Sequence, residues 1–324
     1  MYAVRIHDYG GREVLTYEKI ERPRVANNEL LVKTQSIGVN FIDVYHRTGS
    51  YAGELPFVPG MEASGIIEQV GSDVEQFSIG DQVAFAMCSS SYAQYVAVPS
   101  WKAVVLPRHI THQIGAASIL QGMTAHYLAT STYILSSNDT ALIHAAAGGV
   151  GLLLVQMAKK LEAKVIGTVS TKAKAEKIIS LGADEVIIYS EQDFETEIMK
   201  LTNNFGVDVV YDSVGKTTFE KSLNCLRPRG HMVLFGQSSG KVPPVDPQTL
   251  NDKGSLFLTR PTLGHYAQTR SEILARAKDI FTWIEQSELE VNIDKVFPLE
   301  KVSDAHEYLE SRASSGKILL SDAA

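Results

Sequence analysis

The stretch from Thr140 to Thr171, TALIHAAAGGVGLLLVQMAKKLEAKVIGTVST, constrains this chain more than any other, because few folds accept its parts in this order. Thr140 to Ala145 is a run of β-branched and aliphatic residues, the pattern of a strand buried on both faces. A glycine-rich turn follows, Ala146-Ala147-Gly148-Gly149-Val150-Gly151, which fits G-x-G-x-x-G with alanine in place of the first glycine. From Gly149 to Leu161 apolar side chains recur at helical spacing (Val150, Leu153, Leu154, Met157, Ala158, Leu161), and Lys164 to Thr168 then begins a second strand. Gly148 has no Cβ, so a pyrophosphate can approach its backbone, while Gly151 lets the helix pack closely on the strand. The unsatisfied N–H groups at the helix start face the phosphates. Strand, turn, helix and strand in this order predict a dinucleotide site cradled by Ala147, Gly148, Gly149, Val150 and Gly151.

An acidic residue that holds a ribose 2′-hydroxyl is expected about 20 residues beyond such a turn. Here that place is taken by Val169, Ser170, Thr171 and Lys172, with Lys174 next. No carboxylate repels a 2′-phosphate there, and a hydroxyl and cations are present to bind one. NADPH is therefore expected over NADH. Lysines that only solvate a helix start remain the alternative. Tyr189 ends the next strand, Glu185 to Tyr189, and stands beside Ser170 and Lys174 if the sheet is parallel. It is a candidate to stack on the adenine or bond the 2′-phosphate, with a core tyrosine as the plainer reading.

At 324 residues the chain exceeds the usual size of one core, so two domains are expected. Residues 1–123 look largely β, with candidate strands at Ala3 to Ile6, Glu29 to Ser36, Ser64 to Val70, Gln82 to Ala86 and Tyr92 to Val98, the spacing of a partly open barrel. His112 to Ala129 reads as one or two helices leading into the glycine turn. Strand and helix patterns alternate through residues 124–260, with helices at Lys172 to Leu181, Phe194 to Thr202 and Phe219 to Leu226 and strands at Val207 to Tyr211, His231 to Phe235 and Ser255 to Thr259. That alternation predicts an α/β, doubly wound parallel sheet of Rossmann type. Ligands of such sheets bind at the carboxyl ends of the strands. Ser213, Phe235, Gln237 and Ser238 follow or end two of them and join the cofactor candidates. Residues 261–324, with amphipathic helices over 270–288 and 303–312 and a strand at Lys317 to Leu320, are expected to return to the first domain.

The net charge of -7 disfavours nucleic acid or an anionic membrane as the main partner. No apolar run has the length that a membrane span needs, and the start, MYAVRIHDYG, reads as a strand and not as a signal peptide. Cys88 and Cys225 are the only cysteines, so neither a disulfide framework nor a thiolate metal cluster can be built. A soluble cytoplasmic protein is the expectation.

With these residues in view, the chain resembles the zinc-independent quinone oxidoreductase, or zeta-crystallin, family of the medium-chain dehydrogenase/reductase superfamily. Asn138-Asp139, Leu142, Ala146-Ala147-Gly148-Gly149, Gly151, Gln156 and Lys159 match its cofactor-turn signature. Gly38-Val39-Asn40-Phe41-Ile42-Asp43 with Arg47, Gly49 and Tyr51 is similar to its active-site segment, and Tyr211-Asp212-Ser213-Val214-Gly215 to one of its loops. The resemblance implies a GroES-like catalytic domain beside the Rossmann domain, an NADPH:quinone reductase and a homodimer. It also implies that Arg312 reaches the 2′-phosphate and that Thr124, with Gln121 nearby, lies close to the nicotinamide; a solvated helix-end charge is the alternative for Arg312 and a helix-capping threonine for Thr124. The resemblance is compatible with electrons passed one at a time and with a two-electron hydride.

The superfamily's zinc enzymes carry G-H-E-x-x-G, which appears here as Gly60-Met61-Glu62-Ala63-Ser64-Gly65. A thioether is a poor Zn²⁺ ligand, and residues 1–87 contain no cysteine, so no catalytic metal is expected. Without a Lewis acid the chemistry suits an acceptor that is easily reduced, such as a quinone. Asn40 offers an amide donor to a quinone oxygen, and Tyr51 and Tyr45 offer phenols and aromatic faces. A turn-forming asparagine and core tyrosines are the alternatives. His46 is the leading acid/base candidate and His144 reads as a satisfied core residue. A reductase of α,β-unsaturated carbonyls and a non-enzymatic, crystallin-like NADPH-binding role are the competing functions.

Overall fold

The structure, a computed structural model, describes residues 1–322. The chain divides into two compact units, Met1–Met123 with Ala267–Ala324 and Thr124–Tyr266. The return to the first unit thus begins at Ala267, not at 261. The short helix Leu263–Tyr266 explains the difference, because the Tyr266 ring stacks on Tyr127 of its own unit with centroids 4.3 Å apart.

In the second unit six strands form one sheet in the order Glu185–Ile188, Lys164–Val169, Thr140–Ile143, Val207–Asp212, Leu226–Leu234 and Phe257–Thr259. Every neighbouring pair is parallel. The strand order reverses beside Thr140–Ile143, so the turn that follows this strand lies at the switch point of the sheet. Val, Ile and Leu fill the strands because both faces are covered by helices. Leu142, Ile166, Val210 and Met232 carry the core across the middle of the sheet.

The first unit is built on the strand Glu29–Val39, which extends past the expected end at Ser36. Along one edge it pairs with Glu62–Val70. Its other edge is shared, with Tyr95–Pro99 against its first half and Lys317–Ser321 against Ile37 to Val39. The expected strand from Tyr92 therefore starts only at Tyr95, and Tyr92 instead turns a fully buried ring into the core. Gln82–Ala86 and Ala103–Val105 extend this sheet on one side and Ile293–Pro298 on the other, the last pairing in parallel with Lys317–Ser321. Tyr2–Ile6 and Leu15–Lys19 form a separate antiparallel pair. Leu15–Lys19 and the helix Phe41–Arg47 were not foreseen, the first for its mixed polarity and the second for its brevity.

Two elements set the position of the site. His112–Tyr127 is one continuous helix that ends in a widened turn, Leu128–Thr132. Gly149–Lys160 starts at Gly148 and packs onto its own strand so closely that a Cβ on Gly151 would lie 2.4 Å from the carbonyl oxygen of Ala145. Alanine ordinarily stabilises a helix interior relative to glycine. At this position the contact reverses the sign, and Gly151→Ala is expected to lose about 1–3 kcal/mol in urea unfolding; unchanged or raised stability would contradict the close packing.

Candidate functional site

In the nucleotide unit the turn after Thr140–Ile143 is held in shape by its own backbone. Ala145 adopts a left-handed φ of 49°, and the Gly148 N–H donates to the Ala145 carbonyl at 2.8 Å. A Cβ on Gly148 would meet only that carbonyl oxygen, at 3.2 Å. The outer side of the turn is therefore open to a ligand, and helix Gly149–Lys160 begins there with its free N–H groups. This arrangement fits a pyrophosphate. Ala147, Gly148, Gly149, Val150 and Gly151 are thus brought together in one cradle.

Beside it, the loops after Val207–Asp212 and Leu226–Leu234 are laced to each other. The buried Asp212 carboxylate accepts from the N–H groups of Val214 (2.6 Å) and Gly215 (3.0 Å) and from the Thr218 hydroxyl (2.7 Å). The Phe235 N–H donates to the Asp212 carbonyl and the Ser238 N–H to that of Ser213. Ser213, Phe235, Gln237 and Ser238 consequently share one rigid pair of loops at the carboxyl end of the sheet.

Ser170 and Tyr189 end neighbouring strands. The Tyr189 N–H donates to the Val169 carbonyl and the Ser190 hydroxyl to the Ser170 carbonyl. Tyr189 is 44% exposed, so the core-tyrosine reading falls. Thr171 caps the helix Lys172–Ser180 by accepting from the Lys174 N–H, which places Lys174 in its first turn. Arg312 belongs to the other unit, just past the helix Val302–Glu310, with a left-handed φ of 60°. Thr124 is buried inside the continuous helix His112–Tyr127 and does not stand at the start of one. His144 is the satisfied core residue expected, its ring nitrogens 2.9 Å from the hydroxyls of Thr168 and Ser222.

The first unit holds a buried polar network centred on Asn40, at the start of helix Phe41–Arg47. The Asn40 Nδ2 donates to Glu62 Oε1 at 2.7 Å, and its Oδ1 accepts from Lys317 Nζ at 2.9 Å and Gln121 Nε2 at 3.0 Å. Lys317 and Glu62 form an ion pair out of reach of water, and Glu62 Oε2 accepts the Leu120 N–H. Gly38 is required here, because a Cβ would fall 2.1 Å from Glu62 Oε1. Burial lowers the Lys317 pKa while Glu62 opposes that shift. Asn40 is thus not a mere turn former. At the other end of the same helix, Tyr45 and Tyr51 meet edge to face with centroids 5.3 Å apart, and His46 lies against Tyr51. Tyr51 is 37% exposed and so not a core tyrosine. Burial lowers the His46 pKa, which keeps it neutral around pH 7.

A second chain of buried groups braces this helix. The Asp43 carboxylate accepts from the Asn40 N–H and the Tyr92 hydroxyl, both at 2.8 Å. His306 Nε2 lies 3.1 Å from Tyr92 Oη and its Nδ1 lies 3.0 Å from Arg47, which in turn grips Glu310 with both Nη groups. Arg47 can only donate, so His306 Nδ1 accepts and Nε2–H donates to Tyr92, which donates onward to Asp43. Glu62, Lys317, Asp43, Tyr92 and His306 were not singled out as site residues. The available signals were Glu62 within Gly60-Met61-Glu62 and a lysine opening the apolar run Lys317 to Leu320.

Among the described residues, no group of three or more His, Cys, Asp and Glu is placed to hold a metal ion. No helix among the described residues is long and apolar enough to cross a membrane. The alcohol dehydrogenase GroES-like domain model matches residues 26–132 and the zinc-binding dehydrogenase model residues 149–276, which defines the medium-chain dehydrogenase/reductase architecture. Quinone oxidoreductase 1 of Escherichia coli is 43% identical over 98% of this chain and 98% of its own length. The 2-haloacrylate reductase of a Burkholderia species is 40% identical over 98% of each. The structure of Escherichia coli quinone oxidoreductase complexed with NADPH superposes with a TM-score of 0.97 at 42% identity, covering 99% of this chain and 100% of that one. The chain belongs to the zinc-independent, zeta-crystallin-like quinone oxidoreductases of that superfamily.

Burial pushes the Asp43 carboxyl up from 3.8 to about 7, against the hydrogen bonds from Asn40 and Tyr92. Burial, helped by Arg47, pushes His306 down from 6.5 to about 3. A raised carboxyl contributes stability at low pH that is lost as pH climbs from 3.8 to about 7. A depressed histidine contributes stability above 6.5 that is lost as pH falls toward about 3. The two slopes oppose each other. In urea unfolding across this window, Asp43→Asn is expected to gain stability with pH more steeply than the parent, and His306→Gln to lose stability relative to the parent. Curves parallel to the parent in both variants would contradict these protonation states.

Proposed function

We propose that the protein is an NADPH-dependent quinone reductase that works without a metal. The observation that carries this reading is the pairing, in one chain, of an open glycine cradle at the switch point of a parallel sheet with Met61 and Asn40 in the catalytic unit. The Escherichia coli relative, a quinone oxidoreductase solved with NADPH, supports both the nucleotide and the acceptor. NADPH supplies the reducing equivalents. The cradle from Ala147 to Gly151 takes the pyrophosphate, and the loops carrying Ser213, Phe235, Gln237 and Ser238 take the remainder of the nucleotide. Ser170 and Lys174 take the 2′-phosphate with Tyr189 beside them. Arg312 is proposed to join them, and Thr124 to face the nicotinamide amide.

In the catalytic unit Asn40 donates to a carbonyl oxygen of the quinone, while Tyr45 and Tyr51 offer aromatic faces to its ring. Holding two reactants in position is enough for an acceptor whose reduced product is aromatic. No residue is required to act as a strong acid, in keeping with a neutral His46. A reductase of conjugated C=C bonds is the second reading, favoured by the 40% identity to the 2-haloacrylate reductase. We also propose a homodimer formed along the edge strand Phe257–Thr259, where Phe257 is 55% exposed, and a cytoplasmic setting that keeps the buried Cys88 and Cys225 reduced.

NADPH oxidation with 1,4-benzoquinone, run beside 2-chloroacrylate and with EDTA and NADH controls, tests the assignment. Fast quinone turnover that is insensitive to EDTA and much slower with NADH is expected; turnover of 2-chloroacrylate alone would move the assignment to the second reading. Because a Cβ at Gly148 would press on the Ala145 carbonyl oxygen at 3.2 Å and stand where the phosphates approach, Gly148→Ala is expected to weaken NADPH binding at least about tenfold. Unchanged affinity would contradict the cradle.

A further inference from the structure

We infer that the buried pair Glu62 and Lys317, with Gln121, sets the direction of the Asn40 amide, so that the site presents the acceptor's oxygen with a hydrogen-bond donor. This rests on the reading of Asn40 as the residue that holds the quinone. An asparagine amide has an accepting end and a donating end of nearly equal size, and either one can face a ligand. Here the accepting end is fully used. Both lone pairs of Asn40 Oδ1 are taken, by Lys317 Nζ at 2.9 Å and Gln121 Nε2 at 3.0 Å. At the donating end one hydrogen of Nδ2 goes to Glu62 Oε1 at 2.7 Å, and the second has no partner among the described residues.

Flipping the amide would set its NH₂ against the Lys317 ammonium and its oxygen against the Glu62 carboxylate. Both contacts repel inside a site that water does not reach, since Glu62 and Lys317 are 0% and 1% exposed. The charges themselves are locked. Glu62 is held on its other oxygen by the Leu120 N–H, and Gly38 leaves room for its side chain. Asn40 therefore has a single N–H to offer. That hydrogen suits an oxygen that accepts, such as the carbonyl of a quinone or an enone, and with Oδ1 occupied Asn40 offers no acceptor to a ligand's donor. Glu62 and Lys317 act through Asn40 and are positioning residues.

Steady-state kinetics with 1,4-benzoquinone at saturating NADPH test this in Asn40→Ala, in the doubly neutral Glu62→Gln/Lys317→Met and in the three combined. Removing both charges together avoids a lone buried ion, and NADPH affinity, read by nucleotide fluorescence, shows that each variant is folded and loaded. Asn40→Ala is expected to raise KM for the quinone about 3- to 10-fold, the value of one hydrogen bond, with a smaller change in kcat. The paired variant is expected to raise it by a similar factor, and the triple variant no further than Asn40→Ala alone. The milder Gln121→Met should raise KM less, again with no effect in the Asn40→Ala background, and it carries the test if the paired variant does not fold. Parent KM in the paired variant or in Gln121→Met, with Asn40→Ala impaired, overturns the positioning role and leaves Asn40 as the anchor. Multiplying losses in the combined variant also overturn it, since the pair then acts independently of Asn40. Parent KM in Asn40→Ala removes Asn40 from the site and both inferences fall together, while quinone turnover itself would stand.

Discussion

The ion pair between Glu62 and Lys317 is the constraint on which the catalytic unit depends. Taking two charges out of water costs several kcal/mol for each ion, and attraction repays it only where the remaining donors and acceptors are also satisfied. The chain meets that condition by bringing distant segments together. Glu62 opens one strand, Lys317 opens another, Asn40 follows the long central strand, and Gln121 and the Leu120 N–H come from the helix His112–Tyr127. Gly38 leaves the space in which the carboxylate lies. The strand Lys317–Ser321 is thus more than an edge to the sheet, since its first residue supplies the cation that balances Glu62. The return of the last part of the chain to the first unit follows from that need as well as from apolar burial.

A different logic governs the nucleotide unit. There the polar groups that matter are backbone N–H groups and one buried carboxylate, Asp212, which ties two loops into a fixed shape. A preformed cradle needs little reordering when a nucleotide binds, so more of the contact energy is retained as affinity. In the catalytic unit, by contrast, rigidity comes from side chains. The helix Phe41–Arg47 is held at its start by Asp43 and at its end by Arg47, which spans to His306 and Glu310. Between those two fixings lies the segment that carries Asn40, Tyr45 and Tyr51.

The nucleotide unit was legible in the sequence because its determinants are local. The spacing of Gly148 and Gly151 and the 3.6-residue period through Met157 and Leu161 are written in consecutive residues, and the absence of a carboxylate near Ser170 is equally plain. The catalytic unit was only partly legible. Asn40 and Tyr51 stood out, yet the groups that orient Asn40 come from positions far apart in the chain, and no periodicity relates position 62 to position 317. Lys317 reads locally as an ordinary strand-start lysine. Its role emerges only when the strand pairing sets Ile318 opposite Val39, which places it next to Asn40. Tyr92 differs from its local pattern for a similar reason: its high strand propensity fits the strand that follows, yet its ring reaches Asp43 and His306.

The most direct measurement of this account is a double-mutant cycle in equilibrium unfolding on Glu62→Gln and Lys317→Met. If the buried pair organises the unit, each single change strands an uncompensated charge and costs about 3–5 kcal/mol, while the double variant loses far less than the sum. Losses that add to within about 0.5 kcal/mol would show that the two side chains are not coupled, and would contradict the claim that this interaction holds the site together.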